Sequence, residues 1–183
     1  MSLVQSKMMD LGTIAPSFTL PDTITGNTIT LSELTSDVAT VIAFICNHCP
    51  FVHHINTKLV EVANHYQRKG IQFIAISSND AEYYPQDGPE MMKRVANELG
   101  YNFPYVYDEN QEVAKAYQAE CTPDFFVFDS KLLLAYRGRF DATRPHMGTA
   151  TGKELIQALE SLIKGENVSE VQYPSIGCSI KWK

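Results

Sequence analysis

Two cysteines at a spacing of three positions, in Cys46-Asn47-His48-Cys49-Pro50, are the residues of this chain best suited to covalent chemistry. A thiolate is the nucleophile of sulfur exchange, and two neighbouring thiols can carry a mixed disulfide on to an intramolecular one. What surrounds them says how they are held. Val38 to Ile45 is a nearly continuous apolar run of strand length, and Val52, Ile55, Leu59, Val62, Ala63 and Tyr66 recur as the stripe of a helix ending at Lys69-Gly70. The motif therefore falls at a strand-to-helix turn, where unsatisfied N–H groups and the positive end of the helix dipole favour a thiolate. On that placement Cys46 is the exposed nucleophile and Cys49 the resolving thiol, while Pro50 suits the first turn because it has no N–H to lose. His48 is expected to lower the Cys46 pKa further in its protonated form.

The same residues allow a second chemistry. Cys46 and Cys49 with His53 or His54 supply three or four soft ligands for zinc, and His146, in Arg144-Pro145-His146-Met147, is the one conceivable distant ligand. Structural zinc usually takes its second pair of ligands from a distant knuckle, so the dithiol reading comes first, with no metal and no organic cofactor expected. His53 and His54 are expected on the polar surface of the helix.

The elements that must position the motif follow from pattern. Ile71 to Ser77 is a second apolar strand, which completes a βαβ crossover. Pro89 near its start, Met92, Val95 and Leu99 on one face and Gly100 at its end mark another helix. A strand at Tyr105-Val106-Tyr107 and a small helix from Glu112 to Tyr117 come next. Asp124 to Asp129 and Leu132 to Gly138 form a hairpin around Ser130-Lys131, Leu155 to Ile163 form a last helix, and Gly165 opens an irregular tail. A parallel half followed by an antiparallel half gives an α/β sandwich with a mixed sheet.

With 183 residues, 44% hydrophobic and 20% charged, the chain is expected to form one domain over 1–183, its 165–183 tail packed on the rest. A net charge of −6 without a basic cluster argues against nucleic acid, and no apolar run reaches the length of a membrane span. The N-terminus lacks the apolar core of a secretory signal, so a cytoplasmic protein is expected; an exported form would need a leader ahead of Met1. Four cysteines are too few for a disulfide scaffold in a chain this long.

These residues resemble the thioredoxin-like superfamily, within the redoxin group that holds the alkyl hydroperoxide reductase and thiol-specific antioxidant (AhpC/TSA) proteins. Gly12-Thr13-Ile14-Ala15-Pro16-Ser17-Phe18-Thr19-Leu20-Pro21-Asp22 is similar to the entry segment of that group, and Leu31-Ser32-Glu33-Leu34 to the stretch before its first central strand. The resemblance implies a thioredoxin-like fold, a central mixed sheet sandwiched by helices, with an N-terminal redoxin extension. Thr122-Pro123-Asp124-Phe125-Phe126-Val127-Phe128-Asp129 resembles the loop and strand that carry a cis-proline facing the redox cysteines. Pro123 is then that proline, and Thr122 pairs with a substrate chain in strand fashion beside Cys46.

The resemblance thus implies a thiol-disulfide oxidoreductase that exchanges with the dithiol or disulfide of a protein partner, as a monomer or homodimer. Two alternatives accompany it. One is a thiol-dependent hydroperoxide peroxidase, although Cys46 stands where the peroxidase branch has the threonine of Thr-x-x-Cys. The other is a metal-binding or delivery module, although copper-delivery relatives space their cysteines by one residue more. Thioredoxin proper differs at the active site, with Ile45, Asn47-His48 and Thr40 here in place of its tryptophan, Gly-Pro centre and buried aspartate; Cys-x-His-Cys is similar to the centre of strong periplasmic disulfide oxidants. Cys121 is expected to be a small buried thiol. Cys178, in Tyr173-Pro174-Ser175-Ile176-Gly177-Cys178-Ser179-Ile180-Lys181-Trp182-Lys183, is expected to fold back towards the active site as a third redox thiol, with Trp182 anchoring the tail.

Overall fold

Every residue of the apolar run Ala39–Phe44 is buried, which a strand achieves only when both faces of its sheet are covered. The computed structural model describes residues 3–183. In chain order they form β1 (Leu3–Gln5), β2 (Thr19–Pro21), β3 (Thr28–Thr30), β4 (Ala39–Phe44), α1 (Pro50–Gln67), β5 (Ile71–Ser77), α2 (Pro89–Leu99) and β6 (Tyr105–Tyr107). The second half contains α3 (Glu112–Ala116), β7 (Cys121–Thr122), β8 (Asp124–Asp129), β9 (Leu134–Gly138), α4 (Lys153–Ile163) and β10 (Ile176–Ser179). The central sheet has the order β6-β5-β4-β8-β9, with β4, β5 and β6 parallel and β8 and β9 antiparallel to their neighbours. This is the mixed sheet, with helices on both sides, that the sequence pattern and the resemblance implied.

The pleat divides the interior into two cores. Val41 and Ala43 of β4, Phe73 and Ala75 of β5, and Phe125 and Val127 of β8 face one side, where they meet Val52, Ile55 and Leu59 of α1, Met92 of α2 and Leu155 and Leu159 of α4. Ile42, Phe44, Ile74, Ile76, Phe126 and Phe128 face the other, where they meet the N-terminal segment through Phe18 and Leu31, and Ala114 of α3. Tyr117 closes that second core, its ring 5.6 Å from both Phe44 and Phe126 and its hydroxyl donating to the Pro16 carbonyl at 2.8 Å. Each fully buried aliphatic or aromatic side chain contributes about 1.5–3 kcal/mol, so the two cores hold the central strand from both sides. Gly100, at φ 71°, adopts the left-handed conformation that ends α2 where the sequence places its stop.

The C-terminal tail departs from the sequence expectation. Where an irregular segment is expected, residues 176–179 form β10, the middle strand of a second, three-stranded sheet in the order β1-β10-β7. Cys178 pairs with Leu3 on one side and Thr122 on the other. The strand is four residues long and its partners lie more than fifty residues away in sequence, so no local pattern announces it. Trp182, expected to anchor the tail, is 38% exposed, whereas Ser175, Cys178 and Ile180 are 2–3% exposed.

Candidate active site

β4 delivers Cys46 and α1 begins just after Cys49, which is the helix N-cap, with Pro50 in the first turn. The Cys49 carbonyl accepts from the His53 N–H at 3.0 Å, so the chain turns into the helix within the motif itself. Opposite stands the Thr122-Pro123 peptide, which is cis as the resemblance implied. Thr122 touches both cysteines: its Oγ1 lies 3.4 Å from Cys46 Sγ, and its carbonyl accepts from the Cys49 thiol at 3.2 Å. All four cysteines are thiols in this structure.

The expected exposure of Cys46 does not hold: Cys46 is 2% and Cys49 0% exposed. The Cys46 sulfur has Thr122 Oγ1 at 3.4 Å and an Asp87 oxygen within 4.8 Å. The ionisation order is reversed as well. The hydrogen bond between the two cysteine sulfurs, burial and the Asp87 charge push the Cys46 thiol well above its ordinary range. Cys49 is held low, first by a hydrogen bond from Cys178 and then by one from Cys46. The charge of the dithiol is thus drawn to the inner sulfur, because that sulfur is the one receiving thiol protons from two sides.

His48 lies next to this pair, fixed by a residue that sequence reasoning missed. Its Nδ1 is 2.5 Å from Asp87 Oδ2, and its ring stacks on Tyr84 with the planes 7° apart. Asp87 Oδ1 accepts from the Asn47 and His48 backbone N–H groups at 2.8 and 3.2 Å, and Oδ2 also accepts from Asn79 Nδ2 at 2.8 Å. Asn79 Oδ1 in turn accepts from the Lys181 N–H of the tail at 2.9 Å. Nothing near Asp87 in sequence marks it; Gly88-Pro89 signals only the start of α2.

Cys46, His48 and Asp87 place one ligand atom each within 4.8 Å of one another, the one such group among the described residues. Both Asp87 oxygens already accept two hydrogen bonds and His48 Nδ1 is committed to one of them, so the set suits proton transfer better than a cation. The histidines weighed for zinc do not converge on the cysteines. His53 Nε2 bonds the Asn47 carbonyl, His54 Nε2 is 2.9 Å from Thr143 Oγ1, and His146 sits exposed in the Arg144–Met147 turn.

The edge of Thr122 expected to receive a substrate strand is filled by β10 of the same chain. A Cβ on Gly177 would come 2.1 Å from the Thr122 carbonyl oxygen, so only glycine allows the strand this close. Cys178 accordingly lies on the active site: it pairs with Thr122, whose carbonyl meets the Cys49 thiol at 3.2 Å, and its neighbour Ser179 pairs with Cys121. Cys121 is fully buried, and burial and then Asp124 raise its pKa, consistent with an inert thiol. A hollow lined by Phe51, His54, Pro123, Phe140, Arg144 and Ile176 lies between α1 and the loop that follows β9.

Residues 11–137 match the AhpC/TSA family. Among solved structures, the chain is similar to an uncharacterized conserved protein of Geobacillus kaustophilus, with 58% identity, a TM-score of 0.98, and coverage of 100% of this chain and 97% of that one. A hypothetical protein of Sinorhizobium meliloti is 45% identical, with a TM-score of 0.95 and 98% of each chain covered. A secreted disulfide oxidoreductase of Mycobacterium tuberculosis shares the fold at 17% identity and a TM-score of 0.63, over 79% of this chain and 95% of that one. No curated protein matches the chain. No helix among the described residues is long and apolar enough to cross a membrane.

Proposed function

The chain belongs to the AhpC/TSA family, and from that premise we propose that it is a thiol-disulfide oxidoreductase working on a protein partner through Cys46 and Cys49. The observation that carries this reading is the pair of cysteines at the β4–α1 junction, both in contact with Thr122 beside cis-Pro123. In the reductive direction Cys46, losing its proton as it does so, attacks a disulfide of the partner, forming a mixed disulfide and releasing one partner thiolate. Cys49 then attacks the Cys46 sulfur, closing Cys46–Cys49 and releasing the second. His48, oriented by Asp87, takes the Cys46 proton as the first attack begins and returns it to a leaving thiolate. Pro123 shapes the wall that the partner chain meets, and Thr122 aligns both sulfurs.

Thiol mapping of wild-type, Cys46→Ser and Cys49→Ser proteins across glutathione buffers tests this. The wild type should form a reversible Cys46–Cys49 bond, and the Cys49→Ser protein should accumulate a mixed disulfide at Cys46. Failure of the wild type to form that bond under any buffer removes the reading.

One observation favours hydroperoxide reduction as a second reading. Cys49 occupies the second position of the peroxidase motif Thr-x-x-Cys, and it is the sulfur drawn towards the thiolate. Stopped-flow oxidation by hydrogen peroxide no faster than that of a free thiol would exclude it.

A further inference from the structure

Three thiols meet at one residue. Thr122 bonds Cys46 through its hydroxyl and Cys49 through its carbonyl, and it pairs with Cys178 across the β7–β10 ladder. Cys178 shares one buried cluster with Cys46 and Cys49, is 3% exposed, and belongs to a strand held by β1 and β7 on its two sides. Gly177, with no room for a Cβ against Thr122, is what brings the tail to this distance. The tail is also tied to the other side of the site, through Lys181, Asn79, Asp87 and His48.

We propose that Cys49 and Cys178 form a second disulfide, reached by exchange from Cys46–Cys49, so that the chain stores its two oxidising equivalents in a buried bond while Cys46 returns to the thiol. The inference rests on Cys46–Cys49 being the working dithiol. In the exchange the Cys178 sulfur attacks Cys49, the Cys49–Cys178 bond forms and the Cys46–Cys49 bond breaks. The proton leaves Cys178 and ends on Cys46, and no outside oxidant is consumed. The product also fastens β10 covalently over the Thr122 edge, so a partner strand would meet that edge only after the tail bond is reduced.

The test is disulfide mapping by peptide mass spectrometry after equilibration of the full-length chain with oxidised and reduced glutathione. Wild type should yield both Cys46–Cys49 and Cys49–Cys178 peptides, and Cys46→Ser should yield Cys49–Cys178 alone. Adding Gly177→Ala to Cys46→Ser should lower that peptide about tenfold, because the new methyl group forces the strand off Thr122. Absence of the Cys49–Cys178 peptide from wild type and Cys46→Ser alike overturns the inference, and its appearance in Cys46→Ser alone overturns the exchange step. The underlying reading is judged separately: a wild type that forms Cys46–Cys49 but never Cys49–Cys178 keeps the oxidoreductase and loses only the second couple. Should Cys46→Ser fail to fold, Cys46→Ala and the wild-type map decide alone.

Discussion

Asp87 Oδ2 and His48 Nδ1 lie 2.5 Å apart in a site where the carboxylate is fully buried and accepts three further hydrogen bonds. The carboxylate has two effects on the dithiol. It fixes the Asn47-His48 backbone that sets the Cys46-to-Cys49 turn, and its charge holds the Cys46 thiol up.

Asp87→Asn separates these effects. An amide can keep the two backbone bonds but meets the donors of His48 and Asn79 with a donor of its own, at a cost of about 1–3 kcal/mol in stability. Loss of the negative charge should move the pH profile of Cys46 alkylation to lower pH, as read by iodoacetamide kinetics in a Cys49→Ser, Cys121→Ser, Cys178→Ser background. A purely structural role would lower the melting temperature and leave that profile in place.

Thr122→Val keeps the shape of the side chain and removes its hydroxyl from Cys46. That hydroxyl lowers the Cys46 pKa, against the larger effects of Cys49, burial and Asp87. The alkylation profile should therefore shift to higher pH, opposite to Asp87→Asn, while the Cys49 contact to the Thr122 carbonyl survives. An unchanged profile would show that the 3.4 Å contact has no influence on the thiol.

Asp124 follows Pro123 and is fully buried, and neither oxygen has a hydrogen bond in full geometry. Burial pushes its carboxyl well above the ordinary range, and the Ser175 and Ser6 hydroxyls and the Phe125 N–H offset only part of this. Above an unfolded pKa of about 3.9 the unfolded chain releases this proton and the folded one keeps it, so stability falls as pH rises towards the folded pKa. Asp124→Asn mimics the neutral acid. Its urea midpoint should exceed that of wild type at pH 7 and depend less on pH between 5 and 8; a variant less stable than wild type throughout that range would contradict the argument.

Ile180→Ala and Trp182→Ala test what anchors the tail. Ile180 is buried in the second core, so its truncation should cost about 2–5 kcal/mol. Trp182 is 38% exposed, with Lys115 over its ring at 5.9 Å, and should cost less than Ile180, about 1 kcal/mol or below. The reverse order in thermal melts would return the anchor to the tryptophan.

The sequence by itself determined the central elements and the place of the dithiol. Apolar runs such as Ile71–Ser77 and the stripe from Val52 to Tyr66 are local patterns, and their period alone states strand or helix and which face is buried. The position of Cys46 and Cys49 at a strand-to-helix turn follows from those two neighbours. The rest depended on contacts between distant segments, which carry no period. Asp87 reaches His48 from a separate loop, and β10 near the C-terminus joins β1 at the N-terminus and β7 some fifty residues before it. So only the tertiary structure decided that Cys46 is covered, that the lower pKa falls to Cys49, and that Cys178 lies against Cys49. Burial and hydrogen bonds from elsewhere in the fold set the charge of a thiol, and the residues next to it in sequence do not specify them.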